Sequence, residues 1–238
     1  KIFMFADDTV LLFDLSKDQF DEASDYIKDD LSLINEYYSN NKLVLNLCKS
    51  QAMIFGNVPQ NILKILDDFH INVVDTFKYL GIFIDSQLNF QPALAALRKT
   101  LNQTIGAIYV LRQQLTIKPL MDFYFGHFQS HLSYCNFFII RLPSKDIADL
   151  QILQNRILKM IYKLPILTHT KDLYEKYAKN VLPVMGIIFK SLCMMVKKSL
   201  LEQDDALVHM EPLRSTRVQK LKIKDYKSKF MSNDVEIA

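Results

Sequence analysis

Asp7 and Asp8 are adjacent carboxylates lodged between two apolar runs, Ile2-Phe3-Met4-Phe5 and Val10-Leu11-Leu12-Phe13. Each run is rich in strand formers and too short for a typical helix. The spacing therefore predicts a β-hairpin that turns at Ala6-Asp7-Asp8-Thr9. A two-residue hairpin turn ordinarily takes Asn-Gly or Asp-Gly, because both central residues want positive φ. Two like charges at the tip of an apolar ribbon are costly near a core unless a cation neutralises them. Oxygen ligands of this kind suit a divalent cation. Asp is also a common turn residue, and the same pair at a solvated tip needs no metal.

The elements behind this tip read from periodicity. Ser16-Lys17-Asp18-Gln19 has the form of a capping box. After it, Phe20, Ala23, Ile27, Leu31, Ile34 and Tyr38 fall on one helical face, and the pattern stops at Asn40-Asn41. Leu43-Val44-Leu45 and Ala52-Met53-Ile54-Phe55 read as short strands on either side of Lys49. Phe77 to Ile84 is a third strand-rich block, broken at Gly81. Hairpin, helix and strands in this order predict an α+β unit with helices on one face of an antiparallel sheet.

Near residue 90 the character changes to all-helical. Gln91-Pro92 opens a helix with Pro near its first position. Leu94, Leu97, Leu101, Ile105, Ile108 and Leu111 line its inner face, with Arg98, Lys99 and Arg112 as polar companions. A second helix is predicted from Pro119 to about Cys135. A third carries Ile147, Leu150, Leu153, Ile157 and Ile161 inward and leaves Gln154, Arg156 and Lys159 on its surface. Pro183 precedes another apolar helix through Met195. The expected organisation is 1–90, 91–201 and a basic C-terminal tail over 202–238.

Composition narrows the class. Half of the 238 residues are hydrophobic, so a sizeable core is available, and a net charge of +3 alone indicates no nucleic-acid partner. Cys48, Cys135 and Cys193 are far apart, which suggests neither a zinc site nor a disulfide framework and reads as reduced, buried thiols. No apolar run is long enough to span a bilayer. A chain that begins at Lys1 and enters an apolar strand at once reads as a fragment. The tail sets Arg214, Arg217, Lys220, Lys222, Lys224, Lys227 and Lys229 against Asp225 alone. It reads as a solvated basic segment or as one that tracks phosphates.

Five segments in order resemble the non-LTR retrotransposon reverse transcriptases. Phe5-Ala6-Asp7-Asp8-Thr9-Val10-Leu11-Leu12 is similar to the palm hairpin, with Phe5 where Tyr is usual. Leu45-Asn46-Leu47-Cys48-Lys49-Ser50 is similar to the next block. Phe77-Lys78-Tyr79-Leu80-Gly81-Ile82-Phe83-Ile84-Asp85 is similar to the primer-grip block. His131-Leu132-Ser133-Tyr134-Cys135 and Leu150-Gln151-Ile152-Leu153-Gln154-Asn155-Arg156 resemble helical segments after the palm. The Trp that often follows Tyr-Cys is absent, and Phe137 or Phe138 is expected to fill its space. The resemblance covers about residues 1–165.

That resemblance implies an RNA-directed DNA polymerase, of which this chain holds an incomplete antiparallel palm sheet and a helical thumb-like region. The fingers, another catalytic Asp and the nucleotide pocket would precede Lys1 in the same polyprotein. It implies nucleotidyl transfer with Mg2+ or Mn2+, Asp7 as the direct metal ligand and Asp8 as the second carboxylate. Lys49 would meet the leaving pyrophosphate, or is a plain surface lysine. Tyr79, Leu80 and Gly81 would press on the primer, or Gly81 marks an ordinary bulge. Arg98, Lys99 and Arg112 would contact the template–primer backbone, or form a solvated helix face. The implied partners are an RNA template, a DNA primer and deoxynucleoside triphosphates, without a membrane. The implied location is intracellular, in the nucleus during integration. The competing readings are an inactive transposon-derived remnant that binds nucleic acid, and a plain interaction domain.

Overall fold

Strands β1 (Ile2–Phe5) and β2 (Asp8–Leu11) pair antiparallel, with Ile2 opposite Leu11 and Phe5 opposite Asp8. The structure is a computed structural model that describes residues 1–6, 8–15, 20–46 and 49–208. Asp8 belongs to the strand, opposite Phe5, and not to the turn centre where the spacing put it. The register is pinned at the open end, where Lys1 and Leu12 exchange two bonds of 2.8 Å. Ala6 takes φ 53, the left-handed conformation common in hairpin turns. Asp7 lies outside the described residues, as does the Ser16–Gln19 capping box.

The ribbon leaves Ile2, Phe3 and Phe5 exposed, and an isolated two-stranded hairpin is marginal by itself. Two links steady it. Thr9 Oγ1 lies 3.2 Å from Tyr38 Oη at the end of helix α1 (Phe20–Asn40). Phe13 and Leu15, just past β2, pack on a small core of Ala23, Ile27 and Ile62. Ala23 and Ile27 are buried on α1 and Leu31, Ile34 and Tyr38 half-buried, along the predicted face. Ile62 comes from α2 (Gln60–Asp68), which the periodicity reading passed over.

The middle strands depart from expectation. Leu43-Val44-Leu45 is irregular, with Val44 94% exposed. Strand propensity without a neighbouring strand or a buried face does not hold a ladder. Only β3 (Gln51–Ala52) forms in the second run. It pairs parallel with β4 (Asn72–Val73), and α2 supplies the crossover that a parallel pair requires. β5 (Thr76–Tyr79) and β6 (Ile82–Asp85) form a second antiparallel hairpin. The described strands thus make three separate two-stranded pieces in place of the one antiparallel sheet expected. The class is α+β.

Asp85 turns this strand layer into the helices. It is buried, and its two carboxylate oxygens accept the backbone N–H groups of Gln87, Asn89 and Phe90 at 3.2, 3.1 and 2.7 Å. Helix α3 (Gln91–Leu111) starts there, with Pro92 in its first turn and the predicted apolar face inward, Leu111 being half-buried. Phe90 stacks on fully buried Phe138 at 5.6 Å, so Phe138 rather than exposed Phe137 fills the core at that point.

The predicted second helix runs from Ile117 to Tyr134 in three parts. They are α4 (Ile117–Tyr124), a π-helical turn (Phe125–Gln129) and α5 (Ser130–Tyr134). α6 (Asn136–Ile139) and α7 (Ser144–Ile161) follow, then α8 (Thr170–Asp172) and a second π-helical turn (Leu173–Tyr177). Lys1–Val184 forms one unit and Met185–Ala238 another, so the change at residue 90 falls inside the first. In the second, α9 (Val184–Val208) carries the predicted apolar helix beyond Met195 and into the first residues assigned to the tail. Residues 209–238, with the basic cluster, lie outside the described residues. Cys135 is buried, while Cys193 is exposed, contrary to the expectation of buried thiols; Cys48 lies outside the described residues.

Asp85→Ala leaves three backbone donors without their acceptor. It should cost about 2–4 kcal/mol in urea denaturation, and Asp85→Asn less. A shift below about 0.5 kcal/mol in the alanine variant would show that the junction does not depend on this carboxylate.

Candidate functional site

The first candidate group stands at the ribbon tip. Asp8 takes the first position of β2, opposite Phe5, and is exposed, while Asp7 lies outside the described residues. An exposed carboxylate on a ribbon end suits a hard-oxygen ligand for a divalent cation. Among the described residues no three His, Cys, Asp or Glu side chains gather into a metal site. Lys49 sits exposed after α1, in a turn where its N–H and that of Ser50 both donate to the Asn46 carbonyl at 3.0 Å.

Tyr79, Leu80 and Gly81 come together at the β5–β6 turn. Tyr79 pairs with Ile82, which leaves Leu80 and Gly81 as the loop, both at positive φ. Gly81 is exposed, and an added Cβ would meet nothing within 4 Å. Gly81 therefore answers a backbone requirement of the turn. Tyr134 donates its hydroxyl to the Leu80 carbonyl, tying the turn to α5.

The three basic residues of α3 have different surroundings. Arg98 Nη2 donates to Asp146 and Asp149 of α7 at 2.9 and 2.8 Å, so its charge is already balanced and it clamps α3 to α7. Lys99 is exposed. Arg112 lies over the exposed Tyr109 ring, 4.4 Å from its centroid, a cation–π contact. Further along the same two helices a cleft of about 330 Å³ opens, lined by Asn102, Ile105, Gly106, Tyr109, Arg156 and Met160. Gly106 gives it depth, because a Cβ there would project into open space. Tyr109 and Arg156 were not singled out as site residues from the sequence. An exposed aromatic three residues before an arginine on a helix was the available signal.

Gln154 corrects the sequence reading directly. It was expected on the surface of α7 and is 0% exposed. Its Nε2 donates to Tyr124 Oη and to the Leu182 carbonyl, each at 2.9 Å, and its Oε1 accepts from Tyr174 Oη at 2.9 Å. Gln151 Nε2 lies within 2.9 Å of Gln154 Oε1, Asn155 Oδ1 and Tyr174 Oη, and its Oε1 accepts the Val184 N–H at 2.8 Å. The Leu-Gln-Ile-Leu-Gln-Asn-Arg segment thus has two faces. Its amides knit α7 to α4 and to residues 170–184, and its arginine enters the cleft. Burial lifts the Tyr124 phenol well above its usual range against the pull of the Gln154 bond, and burial pushes Tyr174 up to about 12.

Comparison with family models, with curated proteins and with solved structures finds no match.

The raised phenols set a pH dependence. The unfolded chain ionises these tyrosines near 10 and the folded chain does not, so their contribution is complete below pH 10 and falls as pH rises toward about 12. Tyrosinate absorbance should show Tyr124 and Tyr174 ionising last, together with unfolding. In Gln154→Leu, which takes the Gln154 amide from the Tyr124 hydroxyl and the Leu182 carbonyl, stability should drop by about 1–3 kcal/mol. Unchanged stability in that variant would mean the amide network is dispensable.

Proposed function

We propose that the chain is the palm-end and thumb part of a non-LTR retrotransposon reverse transcriptase, acting on an RNA template and a DNA primer. One observation carries most of the weight. The segment that resembles the family's catalytic hairpin folds as an antiparallel hairpin, with Asp8 exposed at the start of its second strand. Three of the other four family-like blocks support the same reading, since each forms a defined feature: the Leu80-Gly81 turn, the α5 tether and the α7 network.

In this reading Asp7 and Asp8 hold Mg2+ or Mn2+ together with carboxylates from elsewhere in the polymerase. A divalent cation there neutralises charge at the primer 3′-oxygen and at the leaving pyrophosphate. Asp7 is the direct ligand, and Asp8 adds charge beside it. Lys49 meets the leaving group. The Tyr79–Gly81 turn bears on the primer backbone, where Gly81 allows close approach. Lys99, Arg112 and Arg156 face phosphates, while Arg98 acts by holding α3 beside α7. Such contacts position a duplex without reading its bases. The cleft lined by Tyr109 and Arg156, with Arg112 over the Tyr109 ring, also favours a second reading, a transposon-derived remnant that binds nucleic acid without catalysis.

Two measurements test these readings. In the complete polymerase, Asp7→Asn keeps shape but removes charge and should lower primer extension by at least about 100-fold, Asp8→Asn by less. Near-normal extension by the Asp7 variant would return the pair to ordinary turn residues. For the cleft, Gly106→Ala should stabilise α3 by about 0.5–1 kcal/mol, whereas Gly106→Leu fills the cleft. Template–primer binding should fall steeply with salt, and Arg112→Gln or Arg156→Gln should each reduce the log–log slope by roughly 0.7–0.9. Full affinity in Gly106→Leu with unchanged slopes in both arginine variants would remove the cleft from the interface.

A further inference from the structure

The β5–β6 turn has a backbone cost that its own sequence does not relieve. Leu80 sits at φ 45 beside Gly81 at φ 85. The first position of such a turn ordinarily takes Asn, Asp or Gly, because a larger side chain crowds the backbone in the left-handed region. Residues held this way persist where surrounding structure over-determines them, and they gather at functional sites. One contact from outside the hairpin meets the strained residue itself. The Tyr134 hydroxyl donates to the Leu80 carbonyl at 2.5 Å, across 54 positions of sequence. Tyr134 is 57% exposed, so its ring buries little and the hydroxyl is what it brings to the turn. The residue ends α5, four positions before the fully buried Phe138 that stacks on Phe90. The turn is therefore fastened to the same helical block as the other end of its hairpin.

We infer that Tyr134 is a positioning residue for the Tyr79–Gly81 turn, its hydroxyl holding Leu80 in the left-handed conformation and fixing where the turn stands relative to α3. Only the last step, that the turn so held meets a primer strand, rests on the function proposed above.

Hydrogen exchange on the whole chain separates the two steps. In Tyr134→Phe, which keeps the ring, the amide of Ile82, paired opposite Tyr79 across the turn, should exchange about tenfold faster, while circular dichroism remains that of the parent. Leu80→Asn, which takes the turn conformation unaided, should restore protection in the double variant. Unchanged exchange in Tyr134→Phe overturns the inference. So does faster exchange that Leu80→Asn fails to rescue, since Tyr134 would then act through general packing. The second arm compares binding of a recessed template–primer with that of a blunt duplex. The parent chain should prefer the recessed end, and Tyr134→Phe should lose that preference several-fold while retaining blunt-duplex affinity. A parent chain without the preference overturns the primer role of the turn and leaves the exchange arm to decide the role of the hydroxyl. A preference that survives faster exchange overturns the positioning role.

Discussion

A buried carboxylate has to find donors, and Asp85 finds three of them within the next five residues. That requirement shapes the middle of the chain. To present those N–H groups the backbone curls, placing Leu88 and Phe90 in the left-handed region. The curl delivers Phe90 onto Phe138 and starts α3 at Gln91. The β5–β6 hairpin is thereby joined to the helices through a rigid corner, and β6 packs on α3. Without the corner, the β5–β6 hairpin would be a loose two-stranded ribbon of the kind that is marginal alone.

A second polar constraint organises the other end of the same unit. Burying a glutamine costs less than its desolvation only when nearly every lone pair and proton is met. Gln154 meets that condition with two donated bonds and accepted ones from Tyr174 and Gln151. The partners come from α4, α7, the second π-helical turn and the strand-free segment before α9. Apolar packing of Leu150, Ile157 and Ile161 would tolerate small rotations of α7, and the directional bonds do not. The network therefore sets the rotation of α7 about its axis. That rotation in turn aims Arg156 into the cleft and brings Asp146 and Asp149 to Arg98.

The long helices were legible because their apolar faces recur at the helical period, as in Leu94, Leu97, Leu101, Ile105 and Ile108 on α3. What periodicity cannot register is a polar side chain buried by satisfaction, and Gln154 was misplaced for that reason. α2 is only nine residues long, and its Ile62-Ile65-Leu66 spacing behind Pro59 went unread beside stronger strand signals. Leu43-Val44-Leu45 shows the opposite error, since β-branched and aliphatic residues make a ladder only when a partner strand is present. The candidate site was partly visible. The hairpin around Asp8 and the break at Gly81 follow from local sequence, whereas the break was read as a bulge in one strand block and is a two-residue turn between two strands. Tyr109, Arg156 and the Tyr134 tether depend on helices meeting across 50 residues or so, which no local pattern encodes.

The two turns that carry the candidate chemistry share a departure from ordinary hairpin design. Ala6 at φ 53 and Leu80 at φ 45 occupy positions where Gly, Asn or Asp would be easier. Neither turn gains stability from that choice, so something other than turn propensity selects the residues. At the first turn, Ala6 is small and exposed. At the second, a glycine in place of Leu80 would let the loop sample many conformations. Leucine with an external tether confines it to one. In the function proposed above the turn gains from that confinement, since ordering a mobile loop at the moment of binding would weaken a contact. On this argument the strain at Leu80 and the bond from Tyr134 are a single device, and each makes sense only with the other.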